Sequence, residues 1–215
     1  MSNAHPTPAL HSQALTTVVG GPYDLELAAG SIAVLQGPSG CGKSLLLRAL
    51  ADLDTHGGEV FCAGAEQGSM EAPRWRSLVA YVPAESGWWD DRVGPHLQAH
   101  SQRQDWLQAL GLDAGCLEWT VGRCSSGERQ RLALIAALCR SPQVLLLDEP
   151  SAACDAAATQ AMEELLRAWL QQEASRAILL ISHDDAQATR LADQRWQMDA
   201  QAGLQVLPAT EPAHG

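Results

Sequence analysis

Apolar residues fall into short runs and helical stripes along this chain. Tyr23-Asp-Leu-Glu-Leu27 alternates apolar and polar positions, which predicts a half-exposed strand with Gly30 as the following turn. Ile32–Leu35, Val144–Leu147 and Ile178–Ile181 are continuous apolar runs, each suited to a strand buried on both faces. Glu59–Cys62, after Gly57-Gly58, predicts another strand, and Trp196, Met198, Leu204 and Val206 around Asp199–Gly203 predict a terminal hairpin. Helical spacing appears in Lys43–Ala51, with Leu46, Leu47 and Leu50 facing inward, and in Met162, Leu165, Leu166, Trp169 and Leu170. A long helix is predicted from Ser126, with Leu132, Ile135, Ala136 and Cys139 on one buried face and Ser141-Pro142 as its stop.

Buried strands alternating with helices predict an α/β layered fold with a mostly parallel sheet and an antiparallel portion beside it. From about Glu85 to Arg123 the chain is rich in Trp, Gln and His, broken by Gly87, Gly94-Pro95 and Gly111. That composition shift predicts a small helical subdomain, set at about residues 85–130, inserted into one domain spanning 1–215.

Composition narrows the function. Hydrophobic residues make up 46% of the 215, enough to bury a core. Fourteen basic against 25 acidic residues leave a net charge of −11, which disfavours nonspecific binding to nucleic acid or anionic lipid. The longest apolar run, Leu132–Cys139, is far short of the ~20 residues a bilayer span needs. The first residues lack a secretory signal pattern. Six cysteines form no CxxC pair, so reduced thiols in a cytosolic protein are expected.

Gly37-Pro38-Ser39-Gly40-Cys41-Gly42-Lys43-Ser44 matches GxxxxGK[ST] between a buried strand and a helix. Glycines there let backbone N–H groups converge on a polyphosphate, and the helix N-terminus adds positive potential. Lys43 is then expected on the β- and γ-phosphates and the Ser44 hydroxyl on Mg²⁺. Leu145-Leu-Leu-Asp148-Glu149 sets two acids where an apolar strand leaves the core. A carboxylate there needs a cation or a catalytic duty. Asp148 is the expected Mg²⁺ partner, and Glu149 the general base or orienter of an attacking water.

Between these motifs, Cys124-Ser125-Ser126-Gly127-Glu128-Arg129-Gln130-Arg131 resembles the signature of ATP-binding cassette (ABC) ATPases. The family's other markers follow in its order: Gly37–Ser44 resembles Walker A, Val144–Glu149 Walker B, Ser151–Asp155 the D-loop and His183 the switch histidine. The resemblance covers nearly the whole chain and implies a P-loop NTPase core of ABC type. It implies ATP hydrolysis with Mg²⁺, Glu149 as base, and His183 on the γ-phosphate and the D-loop. It also implies a head-to-tail homodimer in which Ser125, Ser126, Gly127 and Glu128 of one copy close the nucleotide site of the other. An integral-membrane permease is the implied partner, with the chain on the cytoplasmic face of the membrane. The short length and the phosphate-loop sequence are similar to small cassette ATPases of metal-export type, particularly iron export.

The sequence departs from the pattern in places. Ala84 stands where the family has a glutamine that touches Mg²⁺ and the attacking water, so either Glu85 substitutes for it or that coupling is absent. Ser126 replaces a signature glycine, and Ala152 a D-loop serine. These departures motivate an alternative, a nucleotide-gated interaction module acting on a soluble partner. A small-molecule kinase is a third reading, but it leaves Ser125–Arg131 and His183 unexplained. No aromatic precedes Tyr23 to stack on adenine, and His11 is a weak substitute, so loose nucleotide selectivity is expected. Of Trp88-Trp89, at least one is expected exposed as an interface anchor, unless both pack within the small subdomain.

Overall fold

The computed structural model describes residues 7–199, 201 and 203–207. The chain opens with the antiparallel pair β1 (Leu10–Thr17) and β2 (Gly20–Leu27), then β3 (Ile32–Gln36) and α1 (Lys43–Leu50). Next come β4 (Gly57–Cys62), β5 (Ala65–Glu66), α2 (Ala72–Leu78) and β6 (Val79–Val82). Short 3₁₀ turns and α3 (Arg103–Ala109) lead to α4 (Ser126–Leu138). The order closes with β7 (Val144–Asp148), α5 (Ala156–Gln171), β8 (Ala177–Ile181), α6 (Asp185–Leu191), β9 (Gln194–Asp199) and β10 (Gly203–Leu207).

Two sheets result. The first, ordered β2-β1-β4-β5, is antiparallel throughout. The second, β10-β9-β3-β8-β7-β6, is parallel except for β10 at its edge. The three continuous apolar runs become its central strands, and alternate side chains feed two cores. Ile32, Val34, Leu145, Leu147, Ile178 and Leu180 pack with Leu132 and Ile135 of α4 and Met162 and Trp169 of α5. Ala33, Leu35, Leu146, Leu179 and Ile181 pack with Leu46, Leu47 and Leu50 of α1 and with Leu10 and Leu25 of the first sheet. Covering both faces is what an apolar parallel sheet requires. It also leaves the carboxyl ends of β3, β7 and β8 on one edge, where α/β proteins place ligands.

Two details differ from the sequence pattern. Helix α4 buries Leu134 and Leu138 as well as Leu132 and Ile135, while Ala136 is only half-buried. It lies against both β6 and α3, so one stripe does not describe it. Strands β1 and β6 form without an expectation for either. All six cysteines are free and five are buried; burial pushes the Cys62 thiol up to about 12.

Candidate functional site

The loop after β3 owes its shape to glycine. Gly37, Gly40 and Gly42 have φ of 148°, 78° and 103°. At two of them space is short as well: a Cβ at Gly37 would run into the Met198 carbonyl oxygen, and one at Gly42 would come 2.7 Å from Val19 Cγ2. Pro38, Ser39 and Gly40 are exposed, and Cys41 is buried with its thiol toward the Met198 carbonyl, 3.6 Å away. The Lys43 ammonium curls back and donates to the carbonyls of Gly37 (2.8 Å) and Pro38 (2.9 Å). Gly42 is the N-cap of α1 and supplies no capping side chain, so this helix end keeps donors for an anion. Ser44 is exposed in the first turn.

At the end of β7 the two acids take different environments. Asp148 is buried, and its Oδ2 accepts a hydrogen bond from the Tyr81 hydroxyl at 2.9 Å. Burial, then the negative charge of Asp148, raises the Tyr81 pKa above the usual phenol range, so it stays a donor. Glu149 adopts φ of 49°, a left-handed conformation that costs a non-glycine residue about 1–2 kcal/mol. Its N–H donates to the Ile181 carbonyl (3.2 Å). Its own carbonyl accepts from the Ala152 N–H (3.1 Å) and the Gln130 amide (3.3 Å).

Strand β8 brings His183 to this edge. Its Nε2 lies 3.0 Å from Glu149 Oε1. His183 lines a 370 Å³ cavity with Gly37 and Pro38, and a 1120 Å³ cavity with Glu149 and Ser151. It therefore stands between the phosphate loop and the acid.

The signature-like segment caps α4. Ser125 Oγ accepts from the Glu128 N–H (3.2 Å), and Glu128 Oε2 accepts from the Ser125 N–H (2.7 Å), a complete capping box. The backbone hydrogen bond from Ser125, then that of its side chain, holds the Glu128 carboxyl below its ordinary pKa. Ser125 uses its oxygen as acceptor, so the hydroxyl hydrogen stays available to an incoming anion. Ser126 is exposed. Gly127 is buried, and a Cβ there would come 2.6 Å from the Ala153 carbonyl oxygen. Among the described residues no hydrogen bond joins Ser125–Glu128 to the loop at 37–44.

Two contributors escaped the sequence reading. Tyr81 orients Asp148, and buried Gln130 bridges the segments around Ala84, Glu149 and Ala153. Only the residue types, amid motifs, pointed to them. Glu85 is exposed and lines a 550 Å³ cavity with Ala84, Ser126 and Gln130. The His11 ring lies on Phe61, with centroids 4.6 Å apart and planes 10° apart, so one of its faces is already taken. Beside the phosphate loop the exposed apolar groups are Val18 and Val19. The tryptophan pair splits, with Trp89 74% exposed and Trp88 packed against the core.

The family model described as ABC transporter matches residues 21–152. The chain belongs to the ABC transporter family. Relatives include the aliphatic sulfonates import ATP-binding protein SsuB of Pseudomonas entomophila, 37% identical over 177 residues, covering 80% of this chain and 64% of that protein. SsuB 3 of Nocardia farcinica is 38% identical over 176 residues, covering 80% and 67%. The chain thus spans 64–67% of the length of these two curated relatives. Their names describe import of aliphatic sulfonates, where the phosphate-loop sequence led to an expectation of metal export. A bacterial Atm1-family ABC exporter with ATP bound superposes with a TM-score of 0.80 at 21% identity, over 90% of this chain and 38% of that one. That likeness establishes the ABC-type α/β fold.

Proposed function

We propose that this chain is the ATP-binding and ATP-hydrolysing subunit of an ABC transporter of import type, coupled to a separate membrane permease. The position of His183, 3.0 Å from Glu149 and beside Gly37–Pro38, supports the reading most directly. In it, water attacks the γ-phosphorus, the bond to the β–γ bridging oxygen breaks, ADP leaves, and the water's proton passes to Glu149. His183 orients Glu149 and reaches the terminal phosphate. Lys43 exchanges its two carbonyl partners for phosphate oxygens, and the N–H groups of Gly40–Ser44 hold the rest of the chain of phosphates.

The donor set suits Mg²⁺. Asp148 and Ser44 offer hard oxygen ligands, Asp148 from a buried carboxylate already steadied by Tyr81. Among the described residues no group of three or more His, Cys, Asp or Glu could hold a metal alone. When bound, the ion neutralises charge on the phosphates.

A second copy completes the site. The exposed Ser125 hydroxyl and the N-terminus of α4 form an anion-binding surface that the chain's own phosphate loop does not use. Docked head to tail, Ser125 and Gly127 of one copy meet the γ-phosphate held by the other. For the permease, a 380 Å³ groove lined by Trp88, Trp89, His96 and Ala133 is the proposed contact. No described helix is long and apolar enough to cross a membrane. The proposed place is the cytoplasmic face, held there by the proposed permease contact.

Glu149→Gln tests the reading. The variant should bind Mg·ATP within a few-fold of the parent, lose about a hundredfold or more in turnover, and accumulate as a nucleotide-dependent dimer. Unchanged turnover removes Glu149 from its role.

A further inference from the structure

We propose that Gln130 is a positioning residue that locks the backbone of Glu149 to the segment after β6 and to the loop before α5. The proposal rests on the reading of Glu149 as the general base. The Gln130 side chain is buried, with all three of its hydrogen bonds made to backbone atoms of segments remote in sequence. Its amide nitrogen donates to the carbonyls of Ala84 (3.1 Å) and Glu149 (3.3 Å), and its oxygen accepts from the Ala153 N–H (3.0 Å).

Three observations give these bonds a consequence for chemistry. Glu149 is held at φ of 49°, a conformation a non-glycine residue keeps only when its neighbours determine it. Gln130 supplies one of the two hydrogen bonds on its carbonyl, the other coming from the adjacent Ala152. And residue 84 is alanine, whose side chain cannot hydrogen-bond to the acid, whereas among the described residues its carbonyl is linked to the Glu149 carbonyl through the Gln130 amide. Gln130 also belongs to α4, whose N-cap is Ser125. A displacement of the α4 N-terminus on docking of a second copy is thereby transmitted, through one amide, to the backbone that aims the Glu149 carboxylate.

The test uses the full chain with Mg·ATP, comparing Gln130→Met and Gln130→Glu with the parent, each with and without Glu149→Gln. Methionine removes all three bonds at similar length; glutamate keeps an acceptor for Ala153 and loses both donors. Both should lower kcat by about tenfold to a hundredfold, with KM and the affinity for a fluorescent ATP analogue within about twofold of the parent. In the Glu149→Gln background, adding Gln130→Met should change the residual rate by less than about twofold, because the group being aimed is already gone. A parental kcat in Gln130→Glu overturns the proposal, as does a full additional loss in the Glu149→Gln background. Loss of nucleotide affinity together with turnover in both variants overturns it too, since it marks a purely structural role. Parental turnover in Glu149→Gln alone sinks the assignment of Glu149 instead, a different failure from any of these.

Discussion

His183 Nε2 and Glu149 Oε1 are 3.0 Å apart, yet the two residues follow different strands, β8 and β7, and sit 34 positions apart in the chain (183 − 149). The Ile181 carbonyl at the end of β8 accepts from the Glu149 N–H, so backbone and side chain tie the same two segments twice. His183→Ala should therefore cut kcat by about a hundredfold while leaving ATP affinity within a few-fold. Single-turnover hydrolysis and equilibrium binding check it, and a variant with parental single-turnover rate counts against the pairing.

Val18 and Val19 stand exposed at the β1–β2 turn, and Val19 reaches over Gly42. An aliphatic surface offers a base an apolar area without ring stacking, so ATP and GTP should bind within about tenfold of one another. Val19→Tyr should tighten ATP by about 1 kcal/mol, roughly fivefold, by supplying a stacking face. Titration calorimetry with both nucleotides decides it; no gain with tyrosine places the base elsewhere.

The capping box of α4 has a pH signature. Glu128 has a folded pKa below its ordinary value of 4.5. Its contribution to stability is therefore fully present above 4.5 and is lost as pH falls through the lower folded value. Glu128→Ala should cost about 1 kcal/mol at neutral pH, and the gap from the parent should narrow on acidification. Urea melts from pH 7 to pH 3 measure it. A constant gap would show that the carboxylate's charge is not what the box uses.

Trp89, 74% exposed beside His96 and Trp88, is proposed to anchor the permease. Trp89→Ala should leave the basal ATPase rate of the isolated chain within about twofold and lower recovery of the permease in co-purification by about tenfold or more. Equal recovery would move the docking site off this groove.

What could be read in the chain without coordinates divides along physical lines. Ile32–Leu35, Val144–Leu147 and Ile178–Ile181 were legible because a strand covered on both faces must be apolar at every position, and each became a fully buried central strand. The glycines of the phosphate loop were legible because its spacing and its strand–loop–helix setting are local. Strand β1 was not, because its register with β2 and β4 slips around Ser12–Leu15 and Ala14 sits at φ of 49°, which breaks the alternation. Tyr81 and Gln130 were invisible for another reason. The Tyr81–Asp148 bond joins residues 67 apart, and the Gln130–Ala84 bond residues 46 apart, distances over which no local pattern carries information.

The left-handed turn at position 149 also sets a trap for anyone evolving this protein toward heat resistance. Glycine accepts that backbone shape freely, so Glu149→Gly should fold at least as well as the parent, with a gain of up to about 1 kcal/mol after its own entropy cost. A library sorted only by survival after heating would enrich molecules that keep the rest of the pocket intact and can no longer take a proton from water.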